Sequence, residues 1–257
     1  MKTRIYSAVK SEIVTFLKDT FTKAGINHSV IAWSGGIDST VSLYLLSHAL
    51  PKENITILHL PYTTSYESDF RTIQKELGFK DEQFRVISIQ PVVDTLCKTQ
   101  SVSDPLRKGN MMARSRMIIL YDVAKDLNAL VCGTENRTED LLGYFTRFGD
   151  QASDIEPIQH LYKTEVFALA SELGIPDTFI TRAPTAGLWS GQTDEGEFGF
   201  SYAEADEVLS RYYDESITVV QMEKDGLVNA GKIIALAKKN AFKHEVPYTI
   251  QTLNPKS

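Results

Sequence analysis

Short apolar runs alternate along this chain with longer segments whose apolar residues recur every three or four positions. Short runs bounded by turn residues are typical of buried strands, and the longer spacing is typical of amphipathic helices. The alternation predicts an α/β fold, an open parallel sheet with helices on both faces. We predict strands at residues 29–33, 55–60, 84–89 and 129–132. We predict helices at residues 5–24, 40–50, 65–77, 113–127, 164–173, 203–209 and 227–239.

A glycine turn connects the first predicted strand to the next helix. Because a helix N-terminus offers free N–H groups and glycine lets the backbone approach closely, the turn predicts a phosphate ligand. A carboxylate beside a polyphosphate needs a divalent cation between them, so the charge balance predicts Mg²⁺. The same pattern suits a plain turn followed by a helix cap, and it lacks the lysine and glycine spacing of a Walker A loop. The turn consists of Ser34, Gly35, Gly36, Ile37, Asp38 and Ser39.

The predicted strands end at residues that belong together in a parallel sheet. Ser34, Pro61 and Thr134 each follow a strand, and ligands of open α/β sheets bind beyond the carboxyl ends of the strands. The three turns therefore predict one cleft.

The glycine turn resembles the pyrophosphate loop of the ATP pyrophosphatases, enzymes that activate an oxygen of their substrate as an adenylate. Five later segments, in the same order, are similar to motifs of NAD synthetases. The similarity extends from about residue 31 to about residue 202, and a weaker similarity is present at residues 242–244. The segments are residues 110–117, Asn-Met-Met-Ala-Arg-Ser-Arg-Met; 133–139, Gly-Thr-Glu-Asn-Arg-Thr-Glu; 143–150, Gly-Tyr-Phe-Thr-Arg-Phe-Gly-Asp; 161–164, Leu-Tyr-Lys-Thr; and 184–195.

The resemblance implies one NAD synthetase domain over residues 1–257, without a glutaminase domain, in the Rossmann-like adenine nucleotide alpha hydrolase fold. The implied reaction is the ATP-dependent amidation of deamido-NAD with ammonia through an adenylate, giving NAD, AMP and pyrophosphate. It also implies a homodimer, because a partner subunit completes the substrate site in this family.

The resemblance also implies residue roles. Asp38 and Glu139 would bind Mg²⁺, and both act in catalysis together with Lys163. ATP would contact residues 34–39 with Thr134, Lys163 and Thr185, and deamido-NAD would contact Arg114, Arg147, Asp154 and Lys243.

Helix geometry bears on three of these positions. Arg114 and Arg116 fall on opposite borders of one apolar helix face, so they cannot bind the same phosphate and the role of Arg116 stays open. Lys163 opposes the helix dipole in a first turn, which indicates a bound anion, although an exposed lysine extended to water is the alternative. Glu139 also suits an ordinary acid in a first helical turn.

Departures from the family pattern place the substrate contacts in question. Arg147 stands where the family has lysine, and its planar fork changes the contact geometry. Trp33 precedes the loop in place of a small or aliphatic residue, Gln151 and Ala152 replace a Gly-Gly pair, and Phe242 occupies a position that is often histidine.

Composition narrows the class of protein. A net charge of −6 and a pI near 5.5 argue against a nucleic-acid partner, and no apolar segment is long enough to span a bilayer. Cys97 and Cys132 are expected to be small buried residues without a glutaminase context, so free ammonia is the expected nitrogen source. We expect a cytoplasmic enzyme.

Residues 183–197 predict a loop that orders over the cleft when ATP binds. Two other functions remain open at this point. One is another ATP-pyrophosphatase ligase, such as a GMP synthetase-like or tRNA-modifying enzyme, and the other is a non-catalytic nucleotide sensor.

Overall fold

A four-stranded parallel sheet with strand order β3-β2-β1-β4 forms the centre of the molecule. The computed structural model describes residues 4–63, 67–185, 191, 193–245 and 247–248. The sheet confirms the predicted α/β class and the four predicted strands. The strands are β1 (His28–Ala32), β2 (Ile55–His59), β3 (Phe84–Val86) and β4 (Ala129–Cys132).

Helices connect and flank these strands. They are α1 (Tyr6–Ala24), α2 (Ile37–Ala49), α3 (Glu67–Leu77), α4 (Gln90–Thr99), α5 (Pro105–Asp126), α6 (Arg137–Leu142), α7 (Lys163–Glu172), α8 (Asp177–Ile180), α9 (Asp194–Phe198), α10 (Tyr202–Leu209), α11 (Val219–Lys224) and α12 (Ala230–Asn240).

Helices cover both faces of the sheet, as predicted. Ile31 and Ile57 pack with α1, α2 and α7, whereas Val30 and Leu58 pack with α4 and α5 on the other face. Alternate residues of a strand point to opposite faces, so strands buried on both faces are apolar at successive positions. A separate apolar cluster joins α6, α9, α10, α11 and α12 beside the sheet.

The structure corrects several predicted boundaries. Helix α5 begins at Pro105, eight residues before the predicted start, because the Asp104 carboxylate accepts the Arg107 N–H at 2.7 Å and caps it. Strand β3 ends at Val86, and α4 and α6 form where no helix was predicted. Residues 65–66 of the predicted third helix lie outside the described residues.

Helix α2 begins at Ile37, three residues earlier than predicted. Its first turn therefore contains Asp38 and Ser39 of the glycine turn. This start places the Asp38 carboxylate beside the carboxyl end of β1, at the edge where ligands of parallel sheets bind.

Candidate active site

Hydrogen bonds of its own hydroxyl groups fix the conformation of the turn between β1 and α2. The Ser39 hydroxyl lies 3.0 Å from the Ser34 hydroxyl and 3.0 Å from the Gly36 carbonyl oxygen, while the Ser34 hydroxyl accepts the Gly36 N–H at 3.2 Å. Gly35 has φ +83°, which a residue with a side chain rarely adopts. The first N–H groups of α2 have no partner within the helix, so the turn offers donors to an anion.

Trp33 anchors this turn in the core. Its ring is 1% exposed, and its indole N–H donates to the Thr40 hydroxyl at 3.1 Å, while Thr40 donates to the Gly36 carbonyl oxygen at 2.8 Å. The ring packs on Phe70 and Phe179 at centroid distances of 6.1 and 6.3 Å. The unexpected tryptophan therefore supports the turn from behind and does not enter the cleft.

Two carboxylates and one ammonium group meet beside the turn. The Lys163 Nζ donates to Asp38 Oδ2 at 2.6 Å and to Glu139 Oε1 at 3.0 Å. The side chain of Lys163 is 2% exposed, whereas those of Asp38 and Glu139 are each 17% exposed. The alternative of a lysine extended to water is wrong, and the three predicted catalytic residues form one contact network.

Asn136 joins the two acidic side chains to the fold. Its side-chain amide donates to Asp38 Oδ1 at 2.9 Å, and its side-chain oxygen accepts the Glu139 N–H at 3.0 Å as the cap of α6. One buried side chain thus fixes Asp38 on α2 relative to Glu139 on α6. The sequence pattern contained this asparagine, but only the structure shows which groups it connects.

A buried acid supports the start of α7. Asp206 accepts the Thr164 N–H at 2.7 Å and the Thr138 hydroxyl proton, and Thr138 in turn accepts the Lys163 N–H at 2.9 Å. Asp206 is fully buried and belongs to α10. The negative charge at the N-terminus of α7 compensates for placing a cation in its first turn.

The electrostatics of the cluster favour a charged lysine. Burial lowers the pKa of Lys163, but the charges and hydrogen bonds of Asp38 and Glu139 raise it by more, so the pKa lies above its ordinary value. Burial and the neighbouring Asp38 raise the pKa of Glu139 although Lys163 opposes the rise. With both acids ionised, two carboxylates and one ammonium leave one excess negative charge facing the turn.

These donors fit a Mg²⁺ ion that binds together with a nucleotide. Carboxylate oxygens are its preferred protein ligands, and nucleotide-bound Mg²⁺ usually has one or two carboxylates, with phosphate and water oxygens completing its coordination. Within the described ranges no group of three or more His, Cys, Asp or Glu side chains is arranged to hold a metal by itself. Asp38 and Glu139 therefore supply part of a coordination shell and leave the rest to a ligand.

The two other predicted ATP contacts lie on separate segments, one after β4 and one beside the predicted covering loop. Thr134 follows β4 and is partly buried, and Thr185 is exposed immediately before residues 186–190. Part of the predicted covering loop, residues 186–190 and 192, lies outside the described residues. Arg182, which sequence reasoning missed, donates to the Gly35 carbonyl oxygen at 2.9 Å and to the Asp69 carboxylate at 2.6 Å, so the residue directly before that loop contacts the glycine turn.

Three of the four predicted dinucleotide contacts gather around residues 143–148. The Arg114 guanidinium donates twice to the Arg147 carbonyl oxygen, at 3.1 and 3.3 Å. The Arg147 guanidinium lies 5.6 Å from the ring centre of Phe242, and the Lys243 Nζ donates to the carbonyl oxygens of Gly143 and Phe145. The guanidinium of Arg147 thus extends over an exposed aromatic surface, and the departure at residue 242 provides part of it.

Asp154 makes different contacts. Its carboxylate accepts the Val131 N–H at 2.8 Å and thereby extends the edge of β4, and none of its hydrogen bonds with described residues reaches Arg114, Arg147 or Lys243. Arg116 points away from Arg114, because its Nε donates to the Leu60 carbonyl oxygen at 3.0 Å. The two arginines thus lie on different sides of α5, as the helix geometry predicts.

A second network, which the sequence did not reveal, connects Glu139 to α9. The Tyr202 hydroxyl lies 2.8 Å from Asp194 Oδ2 and 3.3 Å from Glu139 Oε1, and the Lys163 Nζ lies 4.9 Å from the Tyr202 ring centre. Burial and the nearby carboxylates raise the pKa of Tyr202, so its hydroxyl keeps its proton. The Tyr144 hydroxyl donates to the same Asp194 and to Glu197, and none of its hydrogen bonds with described residues reaches the Glu139 carboxylate.

The cysteines take no part in these networks. Cys132 is buried at the end of β4, as expected, and Cys97 is only half-buried beside Met111. None of the described helices is both long enough and apolar enough to cross a membrane.

Comparison with known proteins identifies relatives that cover nearly the whole chain. The NAD synthase family model matches residues 9–247. An NH(3)-dependent NAD(+) synthetase of Thermoplasma acidophilum is 42% identical over 87% of this chain and 90% of its own length. The protein of the same name from Fusobacterium nucleatum is 39% identical over 93% of both chains.

Two solved structures share the fold along almost the entire chain. An NMN synthetase of Francisella tularensis superimposes with a TM-score of 0.82 at 33% identity and covers 97% of this chain and 100% of its own. An NH3-dependent NAD synthetase of Campylobacter jejuni superimposes with a TM-score of 0.75 at 28% identity, with the same coverage.

Proposed function

Because the chain belongs to the NAD synthase family, we propose that it amidates deamido-NAD with ammonia and consumes ATP. The carboxylate of the nicotinate ring attacks the α-phosphate of ATP, which forms an adenylate and releases pyrophosphate. Ammonia then attacks the activated carbonyl carbon, and AMP leaves as NAD forms. No protein nucleophile is needed in either step.

The observation that carries this proposal is the convergence of Asp38, Glu139 and Lys163 beside an anion-binding turn. A triphosphate approaching the N-terminus of α2 meets backbone N–H groups and the buried ammonium of Lys163. A fixed positive charge near the leaving pyrophosphate stabilises charge that develops as the bond to the α-phosphate breaks. Asp38 and Glu139 would hold Mg²⁺, which would shield the phosphate oxygens from the carboxylates.

The surface around residues 143–148 is proposed as the dinucleotide side of the cleft. Arg114 and Arg147 supply positive charge there. Two aromatic residues beside them, Phe148 and Phe242, are 59% and 48% exposed. Phe148 has φ +61°, a strained conformation for a residue with a side chain, and such strain concentrates at ligand sites. A second subunit that covers these rings would complete the site, so the homodimer belongs to the proposal.

Free ammonia is the proposed nitrogen source. The two relatives named NH(3)-dependent NAD(+) synthetase align over about nine-tenths of this chain and of their own lengths, which supports the proposal of a single NAD synthetase domain without a glutaminase domain. A cytoplasmic location is part of the same proposal.

A direct assay tests this function. Purified protein with ATP, Mg²⁺, deamido-NAD and ammonium is expected to produce NAD, AMP and pyrophosphate in equal amounts. Lys163→Met should lower the rate of pyrophosphate release at least about a hundredfold. Lys239→Met, which removes an exposed lysine of α12, should leave that rate unchanged. Production of ADP and phosphate in place of AMP and pyrophosphate would contradict the proposal.

A second candidate substrate follows from the structurally similar NMN synthetase of Francisella tularensis. An enzyme of that kind would amidate nicotinate mononucleotide, which lacks the adenylate half of deamido-NAD. The two substrates are distinguished by their kcat/KM ratio with the same protein. A preference for the mononucleotide would leave the proposed roles of Asp38, Glu139 and Lys163, here called the cation cluster, unchanged. It would exclude a contact of Arg147 and Phe148 with the adenylate half of the substrate.

A further inference from the structure

A second pair of acidic side chains, Glu135 and Glu156, lies next to the cluster of Asp38, Glu139 and Lys163 and forms no ion pair with any residue that the structure describes. Glu135 is 6% exposed, and neither of its carboxylate oxygens has a hydrogen-bond partner among the described residues. An isolated polar group in a protein interior is strongly unfavourable, so such a group calls for a ligand or a functional reason. Glu135 directly precedes Asn136, the residue that positions Asp38.

Glu156 is fixed beside Glu135 by the fold. Its Oε2 accepts the Glu135 N–H at 3.0 Å, and its Oε1 accepts the Ser153 hydroxyl proton at 2.7 Å. The carboxylate lies so close to Gly133 that a Cβ there would be 1.8 Å from Oε1. Only glycine at the end of β4 therefore admits the Glu156 side chain to this position.

One member of the pair, Glu156, borders a surface cavity. Glu156 lines a surface cavity of about 510 Å³ between α1 and α6, together with Asp140, Arg137 and His160. None of the described residues that line it belongs to the glycine turn.

The charges around the pair match one monovalent cation. Burial, together with the nearby carboxylates of Asp140, Glu156, Glu139 and Asp150, raises the pKa of Glu135 to about 10. Burial also raises the pKa of Glu156, to about 7, so near pH 8 the pair carries about one negative charge.

The nearby cation Lys243 does not compensate for this charge by contact. Its ammonium already donates to the carbonyl oxygens of Gly143 and Phe145, at 2.6 and 2.8 Å. Neither Glu135 nor Glu156 forms an ion pair with Lys243 or with any other residue in the described ranges. A group of three or more side chains suited to a metal ion is likewise lacking in the described parts of the chain.

We propose that Glu135 and Glu156 bind the ammonium ion that supplies the nitrogen. Ammonium offers four N–H donors and one positive charge, and it enters from the cavity between α1 and α6. The protonated Glu135 accepts one N–H through its unprotonated oxygen, and the ionised Glu156 supplies the charge. The inference rests on the proposed amidation and names the site of its third substrate.

Steady-state kinetics with ammonium as the varied substrate test the site. Glu156→Gln, which removes the negative charge, and Glu135→Leu, which removes the acceptor oxygen, should each raise the KM for ammonium at least about tenfold. The KM values for ATP and deamido-NAD, and kcat at saturating ammonium, should stay within about twofold. Glu172→Gln, which removes an exposed charge at the end of α7, is the matched control. An unchanged KM for ammonium in both variants would overturn the site.

A binding measurement separates this inference from the reaction. Ammonium chloride should raise the melting temperature of the wild-type protein above its value in sodium chloride of equal ionic strength, and it should not do so for Glu156→Gln. Tetramethylammonium chloride, which has the charge but no N–H groups, should have no effect. An equal effect of both cations, or of ammonium on the variant, would overturn the site. A wild-type protein that forms no NAD would refute the proposed function instead.

Discussion

Replacing Glu135 by glutamine is expected to make the protein more stable at alkaline pH. In the folded protein the pKa of Glu135 is about 10, because burial and the surrounding carboxylates disfavour its charged form, whereas its ordinary value is 4.5. Between these values the folded state keeps a proton that the unfolded chain releases. The contribution of Glu135 to stability is therefore fully present below pH 4.5 and is lost as the pH rises toward 10.

The size of the effect follows from the same shift. Each pH unit in this interval changes the free energy of unfolding by about 1.4 kcal/mol. From about pH 5 to about pH 8 the wild-type protein should lose up to about 4 kcal/mol that the Glu135→Gln variant keeps. Glutamine does not titrate, so the difference between the two proteins should increase with pH.

Urea denaturation of both proteins at the two pH values measures this difference, in a sodium buffer without ammonium. The exposed Glu172→Gln variant controls for the loss of one negative charge. A difference between wild type and Glu135→Gln that does not change with pH would show that Glu135 is ionised and partnered in the folded state. Together with a raised KM for ammonium in Glu135→Leu, a more stable Glu135→Gln variant would show that this acid has been retained at the expense of stability.

Three further predictions concern the cation cluster and the covering loop. Asp38→Asn should lower pyrophosphate release at least about a hundredfold while the fold, checked by circular dichroism, stays unchanged. Tyr202→Phe should lower kcat/KM about tenfold and weaken the Mg²⁺ dependence, because it removes the hydroxyl that donates to the Glu139 carboxylate. The control variant Tyr144→Phe loses only hydroxyl contacts with α9, so its kcat/KM should stay within about twofold of wild type. An equal loss in the two tyrosine variants would show that Tyr202 only stabilises α9. Proteolysis at residues 183–197 should slow when ATP and substrate are added, and unchanged cleavage would contradict a covering loop.

The sheet was predictable because its strands carry a strong local signal. Residues 55–58 of β2 are all apolar or β-branched, and every residue of this strand is buried, so a short continuous run indicated a strand covered on both faces. Helix α6 was not predictable in this way. It has six residues, and its start depends on the Asn136 side chain, which also binds Asp38 about a hundred positions away along the chain.

The candidate site likewise contains residues that the sequence predicted and residues that only the structure revealed. A resemblance in ordered motifs identified Asp38, Glu139 and Lys163, which the structure brings together. The contributions of Tyr202 and Glu135 depend on burial and on charges from other elements, and neither follows from local sequence. Arg114 and Lys243 bind backbone carbonyl oxygens here, so their contacts with a dinucleotide stay predictions.

The central claim is that the Asp38, Glu139 and Lys163 cluster transfers the adenylate of ATP to a carboxylate substrate. Exchange of labelled pyrophosphate into ATP, measured without ammonium, tests it most directly. Exchange should require both Mg²⁺ and deamido-NAD, and it should be lost in Lys163→Met. Exchange without the carboxylate substrate, or full exchange in the lysine variant, would contradict it.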